Sequence, residues 1–340
     1  MKIPLLVIAG PTGVGKTASA VALAHRVPLE VVSADSRQVY RRMDVATGKP
    51  TAEERAAVAH HLVDVVDPDD RYHAERFARD ARGIITAIRE RGKLPVVVGG
   101  TGFYIRALLR GLDPAPPADP SFRRELDLLA AREGRRALHE RLSREAPALA
   151  RRLHPNDYVR VMRALELTRA GRSPGARDDL WRRSRDYDVL HVGLTMERAE
   201  LARRLRVRAA EMVEAGLLDE VRALLASGYD PTLPAMQGIG YRQFVAVAQG
   251  ELTPAEATRL MQRDTVRYAK RQWTWFAREP DVQWLDVVLA GGPEGVATLE
   301  MERLLAELSA TATPYFCPHG RPTMSRISLQ DVRREVRRIW

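Results

Sequence analysis

A chain of 340 residues, of which 45% are apolar, is long enough for one large or two modest domains with a sizeable core. It has no apolar run of 18 residues, which argues against a membrane span, and its single cysteine, Cys317, excludes a disulfide framework and fits a reducing, cytoplasmic setting. The formal net charge is +10, and residues 121–185 alone carry 17 arginines against 9 acidic residues, which favours a nucleic-acid partner over arginine-rich composition without function.

The first apolar run, residues 4–9, opens into the sequence G-P-T-G-V-G-K-T and then into a helix predicted for about 14–26. In this strand–loop–helix context the pattern binds phosphate through loop N–H groups, the helix N-terminus and the lysine. Taken alone, it is the motif of an ATP-binding protein. We predict a phosphate site with Mg²⁺ at the Thr17 hydroxyl, formed by Gly10, Pro11, Thr12, Gly13, Val14, Gly15, Lys16 and Thr17.

Further apolar runs at 29–34, 62–66 and 94–98 alternate with helical patterns at 51–60 and 74–91. Continuously apolar runs are typical of parallel strands covered on both faces. The predicted fold class is therefore α/β, with a P-loop NTPase-like parallel sheet and helices on both faces. Because ligands bind outside the carboxyl ends of such strands, the phosphate loop and the segments at 33–40 and 99–104 should face one crevice.

The pattern changes at residues 112–120, where four prolines predict a linker. Residues 121–171 are basic and helical, a strand pattern returns at 189–194, and helical stretches follow at 197–227 and 251–278. We predict a catalytic core of residues 1–112 and 186–309, interrupted by an inserted helical domain at 113–185 that binds RNA. An atypical tail follows at 310–340.

The carboxylate at the end of the second apolar run, Asp35, has three possible roles. An NTP hydrolase needs a strand-end carboxylate to help hold Mg²⁺, whereas the run 94–98 ends in Gly-Gly-Thr-Gly. Asp35 could hold that metal, could act as a general base aimed at an acceptor, or could cap its own turn. A buried strand end argues against a mere cap.

Seven sequence blocks occur in a fixed order: G-P-T-G-V-G-K-T, D-S-R-Q-V-Y, H-H-L-V-D-V-V-D-P, V-G-G-T-G-F-Y, R-L-H-P-N-D-Y-V-R-V-M-R-A-L-E, G-I-G-Y-R-Q and A-K-R-Q-W-T-W-F. Over residues 1 to about 285 the chain thereby resembles the bacterial tRNA dimethylallyltransferases. The resemblance implies transfer of a dimethylallyl group from dimethylallyl diphosphate to the exocyclic amine of the adenosine 3′-adjacent to the anticodon of a tRNA. The phosphate loop would then hold a leaving diphosphate, not ATP.

The resemblance also implies roles for single residues. Asp35 would be the base, Thr101 would contact the acceptor or the base, and Arg208 would meet the diphosphate, with Arg204 and Arg206 as adjacent alternatives. Contacts to the tRNA anticodon loop are implied for Asp35, Ser36, Arg37, Gln38, Thr101, Arg123, Val159, Arg160, Val161, Met162, Arg163, Gln237, Gly238, Ile239, Gly240, Tyr241, Arg242, Lys270, Arg271, Gln272 and Trp273. Core packing is an equal alternative for Trp273 and Phe276, and a solvated basic face is the alternative for Arg160 and Arg163. A monomer is expected.

Two competing functions have the same phosphate loop: a P-loop small-molecule kinase and a non-catalytic, GTPase-like RNA-binding module. The Gly-Gly strand end speaks against both, and the basic insert speaks against the kinase. Residues 315–340 resemble the C-terminal end of the mismatch-repair endonuclease MutL. Cys317 and His319 are half of a typical zinc site, so we expect a fusion remnant without function, the alternative being a tail that completes a site in trans.

Overall fold

The computed structural model describes residues 2–112, 116, 118–171 and 186–298. These residues form two compact units: the first holds those up to Leu109 and those from 186 onward, and the second holds those from Arg110 to 171. The tail at 310–340, with Cys317 and His319, lies outside the described residues, as do residues 172–185 of the predicted insert.

The first unit contains a sheet of six strands: β1 (Ile3–Ala9), β2 (Leu29–Ser33), β3 (His60–His61), β4 (Leu94–Gly99), β5 (Tyr187–Thr195) and β6 (Gln283–Asp286). All neighbouring pairs are parallel, in the order β3-β2-β4-β1-β5-β6. Leu6 of β1 lies opposite Val96 on one side and Leu190 on the other. The predicted parallel α/β sheet is thus confirmed.

The helices in chain order are α1 (Lys16–Ala24), α2 (Ala52–Ala57), α3 (Ala74–Glu90), α4 (Gly102–Arg110), α5 (Pro120–Glu133), α6 (Arg136–Glu145), α7 (Pro147–Ala150), α8 (Tyr158–Arg169), α9 (Arg198–Glu214), α10 (Leu217–Ala226), α11 (Tyr241–Ala248) and α12 (Pro254–Phe276). Within the described residues, no helix is long and apolar enough to cross a membrane.

Helices cover the central strands on both faces. Alternate strand residues such as Leu6, Ile8 and Val96 share one apolar cluster with α1 side chains. The residues between them, such as Val7 and Val97, are equally buried, and α3 packs against β2 and β4. Each such aliphatic side chain contributes about 1.5–3 kcal/mol on burial. Strands buried on both sides carry few polar side chains along their length, His191 of β5 being one, so the polar site forms at the strand ends.

The second unit has its own apolar core, formed where α5, α6 and α8 meet. Phe122, Leu138 and Leu165 are each at most 2% exposed in this cluster. Asp119 caps α5 by accepting hydrogen bonds from the N–H groups of Ser121 and Phe122, and Pro120 occupies the first helical position, where its missing N–H costs nothing.

Three details of the predicted elements differ in the structure. Residues 62–66 do not form the predicted strand. The short β3 precedes them, and Leu62 and Asp64 adopt positive φ angles of 61° and 58° that interrupt the extended chain. Only Val66 of that run makes a bridge, to Tyr40. Helix α11 and the edge strand β6 were not predicted.

Candidate active site

The phosphate loop follows β1 and ends at the first residue of α1. Gly10, Gly13 and Gly15 have φ angles of 143°, 78° and 102°. A side chain at Gly10 would place its Cβ 2.6 Å from the carbonyl oxygen of Leu194. Gly15 caps α1 in the left-handed conformation, so the helix N-terminus opens directly onto the loop. The loop therefore has the backbone shape that the sequence motif requires for an anion.

Lys16 is held inside this loop. Its Nζ donates hydrogen bonds to the carbonyl oxygens of Gly10, at 3.1 Å, and Pro11, at 2.8 Å. Burial lowers the pKa of Lys16 to about 8; the charge of Asp35 opposes this shift, and the charge of Arg208 adds to it. Burial destabilises the charged form of the ammonium, and an anion bound beside it would restore much of that lost stability. The lysine is therefore suited to binding a phosphate.

The acceptor side is built from the ends of β2 and β4. Asp35 Oδ1 accepts hydrogen bonds from the N–H groups of Arg37, at 2.8 Å, and Gln38, at 3.4 Å. The Thr101 hydroxyl accepts from the N–H of Ser36, at 3.1 Å, and the Thr101 N–H donates to the carbonyl of Ala34, at 3.2 Å. Asp35 thus caps its own turn through one oxygen, Oδ1. The two loops thus bring Asp35 and Thr101 together.

Arg208, on α9, lies near Lys16 and Asp35. A Cβ at Gly48 would lie 2.2 Å from Arg208 Nη2, so the guanidinium lies against bare backbone. Burial lowers the pKa of Arg208, and the charge of Asp35 opposes the shift. The alternative arginines face elsewhere: Arg204 is exposed and paired with Glu200 at 2.7 Å, and Arg206 is exposed. Of the three, Arg208 is the arginine whose charge acts on both Lys16 and Asp35.

Two cavities meet at these residues. The loop cavity has a volume of about 340 Å³ and is lined by the phosphate loop, and the side cavity has a volume of about 270 Å³. Both are lined by Thr12, Asp35, Thr47, Gly48 and Arg208. Part of the wall of the side cavity is apolar, and its apolar members are Ala46, Leu205, Ala209, Met212, Ile239 and Met261. An anionic head and a short hydrocarbon tail would therefore fit side by side, with Asp35 at the junction.

The long helix α12 supplies one wall of both cavities. Met261, Thr265 and Tyr268 line the side cavity, and Gln272 lines the loop cavity. The Tyr268 hydroxyl lies close to Thr101 and Asp35, and burial raises the pKa of Tyr268 to about 12. The sequence analysis did not select Tyr268. The signal was present in the spacing of these four residues by four, three and four positions, which marks one helix face.

The predicted tRNA contacts of the first unit fall into two groups. Ser36, Arg37, Gln237, Ile239, Arg242 and Arg271 line the side cavity. Buried side chains form the other group: Tyr241 bonds to Glu220 at 2.6 Å, and Gln272 is 6% exposed. Trp273 is half-buried beneath Arg198, whose guanidinium lies 4.6 Å from the ring centre, and Phe276 is a core residue at 1% exposure.

The other predicted tRNA contacts of the first unit differ in exposure. Gln38 bonds to Ser33 and to the carbonyl of Gly48, both at 2.8 Å, and Lys270 is exposed on α12. Gly238 and Gly240 flank Ile239, and a Cβ at Gly240 would lie 2.6 Å from that of Ala46.

In the second unit, the predicted contacts divide in the same way. Arg123 and Arg163 both pair with the nearly buried Glu166, at 2.7 and 3.0 Å. Val161 and Met162 pack in the core of the unit. Val159 is 76% exposed, and the Arg160 side chain is 59% exposed. Of these positions, Val159 and Arg160 present the most side chain to a partner.

Comparisons with known proteins point in one direction. The family model described as IPP transferase matches residues 38–279, and the one described as isopentenyl transferase matches residues 3–64. The chain is 48% identical over 287 residues to tRNA dimethylallyltransferase 1 of Citrifermentans bemidjiense, covering 84% of this chain and 92% of the relative. It is 47% identical over 287 residues to tRNA dimethylallyltransferase of Geobacter sulfurreducens, with the same coverage.

Solved structures agree with these relatives. A tRNA isopentenylpyrophosphate transferase from Bacillus halodurans is similar, with a TM-score of 0.67, 39% identity, and coverage of 91% of this chain and 100% of that one. A eukaryotic dimethylallyltransferase acting on tRNA is similar, with a TM-score of 0.68, 30% identity, and coverage of 84% of this chain and 74% of that one.

Proposed function

The chain belongs to the IPP transferase family, and on that premise we propose that it transfers a dimethylallyl group from dimethylallyl diphosphate to the exocyclic amine of the adenosine 3′-adjacent to a tRNA anticodon. The observation that carries the proposal is the junction of the two cavities. There, Asp35 and Arg208 line both the loop cavity and the side cavity, whose wall is apolar in part.

The donor occupies both cavities in this proposal. Its diphosphate binds the loop N–H groups, Lys16 and Arg208, and its five-carbon chain lies against the apolar wall that includes Leu205, Met212 and Met261. When the bond between the allylic carbon and the bridging oxygen breaks, negative charge grows on the diphosphate. Preorganised N–H groups and buried cations stabilise that charge most where water is scarce.

The acceptor amine attacks the same carbon. The carbon–oxygen electron pair leaves with the diphosphate, a carbon–nitrogen bond forms, and the amine proton passes to Asp35. An adenine amine is a weak nucleophile because its lone pair is conjugated with the ring, so a positioned base speeds the step. Thr101 and Tyr268 border the place where the adenine ring must lie. The adenosine must leave the base stack of the anticodon loop to reach that place.

A divalent cation fits the loop cavity. Oxygen donors from Thr17, Ser33 and Asp35 line it, and Mg²⁺ prefers such donors together with substrate phosphates. Thr17 is the residue we propose to hold it. Bound there, Mg²⁺ would supply positive charge to the departing diphosphate.

Exposed basic residues on both units supply the tRNA contacts in this proposal: Arg160 with Val159 on one unit, and Arg242, Lys270 and Arg271 on the other. Arginines of this kind bind the phosphates of a single-stranded loop. One copy of the chain contains the residues proposed to bind the donor, to act as the general base and to contact the acceptor, so we propose that the protein works as a monomer. We also propose that it works in the cytoplasm, where tRNA is found.

A kinase is not favoured, because β4 ends at Gly99 and Gly100 follows it, where such an enzyme would have a carboxylate that helps hold Mg²⁺. The relatives are also named as dimethylallyltransferases. The test uses purified protein, unmodified tRNA, Mg²⁺, and either dimethylallyl diphosphate or ATP. We expect tRNA-dependent diphosphate release matched mole for mole by prenylated adenosine. Phosphate release from ATP without prenylation would refute the proposal.

A further inference from the structure

Gln272 has an environment unlike that of its neighbours on α12. Lys270, Arg271 and Thr274 are exposed, whereas Gln272 is 6% exposed and points into the first unit. A long polar side chain is rarely buried unless its amide is fully hydrogen-bonded.

The Gln272 amide joins two separate loops. Its Oε1 accepts a hydrogen bond from the N–H of Thr12, in the phosphate loop, at 2.9 Å, and its Nε2 donates one to the carbonyl of Gly100, after β4, at 2.9 Å. The partners lie 260 and 172 residues away along the chain. One side chain thus spans the end of β1 and the end of β4.

The fit around this amide is close. A Cβ at Gly100 would lie 2.2 Å from Gln272 Nε2 and 3.2 Å from the carbonyl oxygen of Gly10. The second glycine of the Gly-Gly pair is thus needed for the approach of the amide. This gives Gly100 a role that does not involve a ligand.

Gly100 is bonded directly to Thr101, and Thr101 is itself hydrogen-bonded to Ala34 and Ser36 on either side of Asp35. A continuous path of bonds therefore runs from Thr12 through Gln272, Gly100 and Thr101 to the Asp35 turn. The donor's phosphates lie at one end of that path and the proposed base at the other.

The geometry points to Gln272 as a positioning residue that fixes the distance between the phosphate loop and the Asp35–Thr101 pair, not as a tRNA contact. The inference rests on the proposed prenyl transfer. Its consequence is specific: loss of the amide misplaces the base and acceptor relative to the allylic carbon. A misplacement of about 1 Å costs on the order of 10²-fold in rate, while binding of each substrate by its own loop persists.

The experiment compares wild type with Gln272→Met, which keeps length and removes both hydrogen bonds. The matched control is Gln262→Met on the same helix, where a surface amide donates to the carbonyl of Arg206. The single-turnover rate constant is measured with saturating dimethylallyl diphosphate and Mg²⁺, since this constant does not depend on the fraction of protein that is folded. Dissociation constants for unmodified tRNA and for inorganic diphosphate are measured separately.

We expect Gln272→Met to lower the rate constant on the order of 10²-fold, with both dissociation constants within about threefold of wild type. The control should match wild type in all three. A tRNA dissociation constant raised about tenfold or more with an unchanged rate constant would make Gln272 an RNA contact and overturn the inference. Inactive wild type would instead refute the proposed function itself.

A second set of variants tests the same point through Gly100. Gly100→Ala should displace the amide and lower the rate constant on its own. In the Gln272→Ala background the space is free, so the added methyl should cost much less than it does alone. Additive losses would mean that the two positions act independently, contradicting a shared positioning role.

Discussion

Asp35→Asn separates the two roles that the structure gives this residue. An asparagine keeps the Oδ1 that accepts from the N–H groups of Arg37 and Gln38, so the turn should persist. It cannot take the proton of the acceptor amine. Loss of a general base costs about 10²–10⁴-fold in rate, which is about 3–5 kcal/mol of transition-state stabilisation.

Asp35→Ala removes the turn bonds as well, each worth about 1 kcal/mol net, so it should also lower Tm by a few degrees. The assay is single-turnover prenylation of unmodified tRNA, with tRNA affinity and Tm measured in parallel. Asp219→Asn is the control, because the Asp219 side chain is 82% exposed on α10. Near-normal turnover by Asp35→Asn would refute the base assignment. A loss of tRNA affinity as large as the loss of rate would make Asp35 a recognition residue first.

The remaining predictions concern Lys16, two arginines of the second unit and the side cavity. Because burial lowers the pKa of Lys16 to about 8, the affinity of the wild type for inorganic diphosphate should fall as the pH rises through about 8. Calorimetric titration of Lys16→Arg with diphosphate over the same pH range should show no such fall in affinity. By the same linkage, the native state binds fewer protons than the unfolded state between about 8 and 10.5, so the Lys16 contribution to stability becomes more favourable as pH rises through that window. Arg160→Ala should reduce the salt slope of tRNA binding by about 0.7. Arg163→Ala removes a partner from the nearly buried Glu166, so it should lower Tm and leave that slope nearly unchanged. The reverse pattern would contradict the assignment of Arg160 to RNA phosphates and of Arg163 to the fold. Ala209→Phe should fill the side cavity and raise KM for dimethylallyl diphosphate about tenfold or more while inorganic diphosphate affinity stays within about threefold, and equal losses of both would mean that the donor chain lies elsewhere.

Features encoded within a few consecutive residues were predictable. The phosphate loop depends on glycine spacing, and the buried strands depend on continuous apolar runs, so both could be located from sequence. The four-residue β6 has no such pattern, since its pairing with β5 depends on the arrival of a distant segment. No strand forms at 62–66 because two residues there that are not glycine adopt the left-handed conformation. That conformation is uncommon for such residues, so the sequence does not predict it.

The partners of individual side chains explain the other differences between the predicted and the observed site. Arg163 was predicted to face RNA from its spacing to Arg160, but Glu166 is nearly buried and holds it. Gln272 lies among residues that resemble RNA contacts, yet its direction depends on how α12 is rotated against the sheet. The charge of +8 counted for 121–185 therefore overstates what that segment presents to a partner.

Because α12 supplies side chains to both cavities, the protein should not tolerate insertions or deletions within this helix. Its 23 residues contain capping residues at the start and the Gln272 amide near the end. One residue inserted between Thr265 and Tyr268 would rotate everything after it by about 100°, turning Tyr268 and Gln272 out of the cavities together. Length variation among homologous enzymes should therefore accumulate in the turns before Thr253 and after Phe276, leaving the helix itself constant in residue count.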